Sequence, residues 1–126
     1  MWNNICTQED INRVIKSFDN FHDSCIKEIR YISGLYVDDN LCMNSTKNSI
    51  DILFNSQNVS NNNLIIRFID VLEFNINKRN GYIHEIYDIS MFIKNDCIYW
   101  ADSEEFTLEC LSGNWICSRQ AMWKLV

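Results

Sequence analysis

Ile50-Asp51-Ile52-Leu53-Phe54 reads as a strand, because Ile50, Ile52 and Phe54 fall on one face and Asp51 and Leu53 on the other, the two-residue period of a half-buried ribbon. Phe106, Leu108 and Cys110 alternate with Thr107 and Glu109 in the same way. From residue 25 onward, short runs of Ile, Phe, Tyr and Val are punctuated by Asn, Asp, Ser and Gly, the composition of strands and their turns. About eight runs qualify: 25–33, 35–43, 48–55, 64–69, 71–77, 82–88, 90–100 and 105–125. The seventh is expected to fold back on itself at Asn95-Asp96, a two-residue link whose members tolerate positive φ. A second hairpin is expected to join the run 106–111 to the run 115–123 through Ser112-Gly113-Asn114, with Gly113 in the left-handed conformation.

Upstream of these runs the period changes. Ile11, Val14, Ile15 and Phe18 recur at helical spacing and predict one amphipathic helix over 7–18. Thr7 and Asp10 have the spacing of a capping box, although an Asp side chain is expected to reach back less well than Glu would. With one helix ahead of the strands and no alternation of helix and strand, a parallel sheet is excluded. The expected fold is mainly β, an antiparallel sandwich or a partly closed, curled sheet of about eight strands, with the N-terminal helix covering an edge or an open end. One domain over 1–126 is expected, with the β body over 25–126. The absence of Pro suits uninterrupted ladders, and the polar loop 55–63 has almost nothing to bury and is expected to be mobile.

No apolar run is long enough for a membrane span, and the first ten residues lack signal-peptide features, so a cytoplasmic protein is expected. Six cysteines without Cys-x-x-Cys spacing then read as reduced thiols, mostly buried small hydrophobes. With three glycines in all (Gly34, Gly81 and Gly113), no phosphate-cradling loop can be built. Nucleic acid is a poor partner for a chain of net charge −6. The charge is also concentrated. Glu85, Asp88, Asp96, Asp102, Glu104, Glu105 and Glu109 face a single base, Lys94, in one stretch, which accounts for the whole net charge. On alternating strands these acids fall on loops and the wet face, a negative field that attracts a basic partner. Asp88, Asp96, Asp102, Glu104, Glu105 and Glu109 are therefore the candidate partner-binding residues.

Enzymatic readings have little material. Two histidines, His22 and His84, would have to meet Asp23 or Glu85 to make a metal site, or one of them would have to meet Cys25 to make a thiol nucleophile. No catalytic residue, metal or cofactor is assigned. The plainer reading of Phe21-His22-Asp23-Ser24 is a corner between helix and first strand, tied by short polar side chains to backbone groups. A ligand cavity lined by aromatics at the open end of the sheet is the other alternative.

Phe18-Asp19-Asn20-Phe21-His22-Asp23-Ser24-Cys25-Ile26 resembles the Phe-His-Asp entry of small bacterial proteins related to immunity protein 50 of polymorphic-toxin systems, with Phe18 where Trp is commoner and Ser24 where Ala is frequent. Leu64-Ile65-Ile66-Arg67-Phe68-Ile69-Asp70-Val71 is similar to the Leu-x-Phe-x-x-Val element of their β-rich body. The resemblance implies a mainly β cytoplasmic protein without enzymatic activity that binds and neutralises a toxin, and it singles out Phe21, His22 and Asp23; the concentrated acids add the expectation that this partner is a basic protein toxin.

Overall fold

The computed structural model describes residues 1–77 and 84–126. Among them lie ten strands, one α-helix and one tight left-handed turn. The strands are β1 (Asn3–Ile5), β2 (Ser24–Ile32), β3 (Leu35–Val37), β4 (Met43–Ser45), β5 (Ser49–Ser56), β6 (Asn63–Asn75), β7 (Glu85–Ile86), β8 (Ser90–Lys94), β9 (Cys97–Ala101) and β10 (Trp115–Leu125). Seven of them form an antiparallel sheet in the order β7-β2-β5-β6-β10-β9-β8, and β1 joins it by pairing with the second half of β10. The sheet curls into a half-barrel. Curling has local causes: register slips at Ile26/Glu28 and Cys117/Ser118, and a left-handed Asp70 (φ 58°) inside β6, each of which bends its strand.

Helix α1 (Gln8–Ser17) lies against β1 and β8 and buries Ile11 and Val14. Its capping box forms with Asp in the third position: Thr7 Oγ1 accepts from Asp10 N–H (3.2 Å), and Asp10 Oδ2 accepts from the N–H groups of Thr7 (3.0 Å) and Cys6 (2.9 Å). The Asp side chain reaches back far enough to close the box. These donors, that of Cys6 foremost, hold the Asp10 carboxyl below its ordinary pKa.

The core faces the hollow of the sheet. Phe54 of β5 meets Phe21 on one side (5.0 Å between ring centres) and Trp100 of β9 on the other (5.4 Å), and Phe18 closes on Phe21 at 5.1 Å. Ile50, Ile52, Leu64, Ile66 and Phe68 complete it from β5 and β6, the alternation of Ile50-Asp51-Ile52-Leu53-Phe54 realised as one buried and one wet face. Membrane-spanning helices are absent among the described residues.

Several strand expectations need correcting. The expected runs 64–69 and 71–77 merge into the one strand β6, which ends at Asn75, because Asn48 carries the ladder past the bend: its Oδ1 accepts from Val71 N–H (2.6 Å) and its Nδ2 donates to Val71 O (3.1 Å). The run 35–43 is a small hairpin, β3 with β4, turned by Asp38, whose Oδ1 accepts from the N–H groups of Asn40 (2.9 Å) and Cys42 (3.0 Å). Of 82–88, Glu85–Ile86 is strand, while 82 and 83 lie outside the described residues. The Asn95-Asp96 hairpin forms with both residues left-handed (φ 53° and 60°).

The hairpin expected between Phe106–Leu111 and β10 does not exist. Both edges of β10 are occupied, one by β6 and the other by β9 and then β1, so no edge is left to receive a strand. Hydroxyls bend the chain instead: Ser103 Oγ accepts from Glu105 N–H (3.1 Å) and Thr107 Oγ1 from Cys110 N–H (3.1 Å). Phe106 turns inward onto Trp115 and Phe92 in a second apolar cluster with Cys97 and Cys117. Of the six thiols, Cys97 and Cys117 are buried, Cys25 is half-buried, and Cys6, Cys42 and Cys110 are exposed, so burial as a general rule for the cysteines is also corrected.

Candidate functional site

The two ends of the sheet order, β7 and the β9–β8 hairpin, are brought near each other by the curl, and an open cleft of about 420 Å³ lies where they approach. Glu85, Tyr87 and Asp88 line it from the β7 side, and Asp102, Glu104 and Glu105 from the chain leaving β9. Asn77, His84, Ser103, Ser112 and Asn114 complete the lining, which contains five carboxylates and no Lys or Arg among the described residues. Gathered in one concave site, like charges focus a negative potential outward.

Four of the six candidate partner-binding acids, Asp88, Asp102, Glu104 and Glu105, thus share this cleft, joined by Glu85. Asp96 does not: it sits on the β8–β9 turn and lines a different depression beside Arg119. Glu109 is exposed in the 107–110 turn and does not line the cleft. Asp102 also has a structural duty. Its carboxylate accepts from the backbone and the side chain of Asn114, so only part of its charge is available to a partner.

Behind one wall of the cleft lies the Phe-His-Asp-Ser corner. Asp19, Asn20 and Phe21 (φ 50°, 56° and 59°) make a left-handed turn, and Asp23 (φ 54°) is left-handed again. Such backbone costs on the order of 1 kcal/mol per residue and persists because its surroundings over-determine it. Phe21, fully buried between Phe18 and Phe54, is the main determinant. Ser24, buried at the start of β2, donates from Oγ to Phe21 O (2.6 Å). The polar loop is fastened to the same corner: Gln57 N–H donates to Asp23 O (3.2 Å) and Asn58 Nδ2 to His22 O (3.1 Å).

His22 links the corner to the cleft. Its Nδ1 lies 2.8 Å from Tyr87 O, and its Nε2 lies 3.5 Å from Asp23 Oδ2. The Tyr87 carbonyl, followed by the Asp23 carboxylate, raises the pKa of the exposed imidazole above its ordinary value. His22 and Asp23 therefore adjoin, but His84 turns its Nδ1 toward Asn114 Nδ2 (3.5 Å). Cys25 pairs with Glu85, and Ile26 N–H donates to His84 O, so Cys25 and His84 line one depression beside the cleft, but among the described residues no hydrogen bond joins the thiol to either imidazole. Among the described residues no three His, Cys, Asp or Glu side chains are grouped to hold a metal ion.

The polar residues that shape the cleft, Asn114 above all, escape sequence reasoning, which sees in Ser112-Gly113-Asn114 only a turn. Asn114 is 4% exposed and accepts at Oδ1 from Asn77 N–H (2.7 Å). No protein-family model, curated protein or solved structure matches this chain.

Proposed function

We propose that this chain is a non-enzymatic protein-binding module, an immunity protein of the polymorphic-toxin kind, which neutralises a basic bacterial toxin by receiving its cationic surface in the acidic cleft. The observation that carries the reading is the gathering of Glu85, Asp88, Asp102, Glu104 and Glu105 around one concavity that, among the described residues, no Lys or Arg lines. A solvated acidic face kept only for solubility needs no concavity and no convergence of two ends of a sheet. The Phe-His-Asp resemblance supports the same class, with the corner serving to hold the cleft wall at Tyr87.

The test is association kinetics with the toxin encoded beside it, for the parent and for a Glu85→Lys/Glu104→Lys/Glu105→Lys variant that leaves the Asp102–Asn114 clamp intact. Electrostatic steering predicts association slower by about tenfold or more at low salt, with most of the salt dependence gone. Association unchanged in rate and salt dependence would refute the assignment.

A further inference from the structure

The β3–β4 hairpin stands outside the main sheet: among the described residues neither strand pairs with any strand but the other. It is stiff at both ends. At the base Thr46 N–H donates to Gly34 O (2.7 Å), and Gly34 is left-handed (φ 82°) with no room for a Cβ against Thr46 O. At the tip the Asp38 carboxylate accepts from the N–H groups of Asn40 and Cys42 and from Asn44 Nδ2, so it is fully engaged by the turn.

Alternation gives this ribbon two unlike faces. The bonds from Asp38 N–H to Cys42 O and from Thr46 N–H to Gly34 O leave Leu35 opposite Ser45 and Val37 opposite Met43 at the close, non-hydrogen-bonded positions, on one face. Tyr36 and Asn44 take the other face. The first face is apolar and open to solvent: Leu35 is 62% exposed, Val37 56% and Met43 70%, and Leu41, at the turn beside them, 86%. Together these side chains present an apolar patch on the order of 500 Å², large for a monomer. A two-stranded hairpin is marginal in water unless another layer covers its apolar face.

We propose that a second copy of the chain supplies that layer, the two hairpins stacked apolar face to apolar face and running in opposite directions about a two-fold axis at the level of Tyr36 and Asn44. Charge selects the direction. Stacked the same way round, the hairpins would bring the Asp38-Asp39 tips of both copies together, acid upon acid. In opposite directions each Asp39, three residues beyond Tyr36, comes to the base of the other hairpin, where Lys47 of the partner subunit lies three residues beyond its Asn44. Asp39 and Lys47 are both exposed, and neither has an ion-pair partner among the described residues. The same axis sets Leu35 over Val37 of the partner subunit and Met43 over Ser45 of the partner subunit, each twice, so no charge is buried at the centre. Two such faces with their rims approach the roughly 1,200 Å² at which specific interfaces begin, which makes the dimer a weak, reversible one. The pairing is isologous and closes at two copies.

Sedimentation equilibrium over a concentration series tests the dimer. The parent is expected to show a reversible monomer–dimer equilibrium. Met43→Lys places charge at the centre of the stack and should abolish the dimer, while circular dichroism reports an unaltered fold because that side chain is largely exposed in the single copy. Lys47→Asp, which sets two carboxylates together at each end, should weaken dimerisation about tenfold at low salt, and adding Asp39→Lys should restore it to within about threefold of the parent. A parent that remains monomeric up to about 1 mM, a range that covers weak homodimers, would overturn the proposal. So would a dimer indifferent to Met43→Lys, or a charge swap that fails to restore association. Toxin binding lost through Met43→Lys, with the parent monomeric, would give this face to the toxin and overturn the proposal equally.

Discussion

Asp102 and Asn114 hold each other through three hydrogen bonds: Asp102 N–H donates to Asn114 O (3.0 Å), Asn114 N–H to Asp102 Oδ1 (3.1 Å) and Asn114 Nδ2 to Asp102 Oδ2 (2.7 Å). The pair sits one step beyond the end of the β9–β10 ladder, after Ala101 and before Trp115, and so fixes how the chain leaves the sheet to form the acidic rim. Because Asn114 is buried and its Oδ1 also receives Asn77 N–H, it ties the end of β6 to the same point. Asn114→Ala should therefore cost about 2–3 kcal/mol, the range for a charged hydrogen bond lost with partners left unsatisfied. Asp102→Ala should cost a similar amount, and the double variant clearly less than the sum, as denaturant unfolding of all four proteins would reveal. Additive losses would show that the clamp does not act as a unit.

The left-handed corner makes a second expectation. Phe21 is fully buried against Phe18 and Phe54 and also sits at φ 59°, so truncation removes the packing that keeps three strained neighbours in place. Phe21→Ala should cost about 3–5 kcal/mol, as large aromatic truncations in cores do. Phe21→Leu, which keeps most of the volume, should recover part of that. Thermal or denaturant unfolding measures both, and a melting temperature unmoved by Phe21→Ala would contradict the role given to the ring.

Much of this fold was legible because burial on one face writes itself into alternate positions. Ile50, Ile52 and Phe54 show it, as do the helical stripe and the Asn95-Asp96 turn. What alternation cannot show is whether an edge is vacant. Phe106, Leu108 and Cys110 alternate as a strand would, yet β10 had no free edge for them, and hydroxyl-capped turns took over. β1 was missed because only Ile5 of its three residues is buried. The same limit governs the cleft. The acids were visible as a cluster in the chain, but Asp96 and Glu109 belong elsewhere, and Glu85 meets Glu104 only through the curl that brings the ends of the sheet together.

A pH dependence follows from His22. Its folded-state pKa is raised above the ordinary 6.5, chiefly by Tyr87 O and then by Asp23. A raised pKa means that the protonated imidazole is favoured in the folded protein. The stabilisation is fully present below the unfolded value and is lost as pH rises through the folded one. His22→Gln should therefore lower the melting temperature more at pH 5.5 than at pH 8.5, with the difference shrinking across the interval just above 6.5. Equal losses at both ends of the range would mean that the charge of His22 plays no part in holding the corner to Tyr87.

The thiols separate by environment, which gives a chemical test of the sheet's outer layer. Cys117 is buried in the cluster with Phe106 and Trp115, and burial above all pushes its thiol pKa up, so little of the reactive thiolate exists there near neutrality. The hydrogen bond between Cys117 and Tyr99, followed by desolvation, raises the Tyr99 phenol to about 12. Cys6, Cys42 and Cys110 face solvent. Ellman's reagent should accordingly modify three thiols rapidly in the native protein, Cys25 more slowly, and Cys97 and Cys117 only on unfolding. Removing Phe106 by Phe106→Ala should open the cluster and bring Cys117 and Cys97 into the native reaction, because that ring is what the 102–113 chain lays over them. If both stay protected in that variant, the cover over the cluster comes from somewhere other than Phe106.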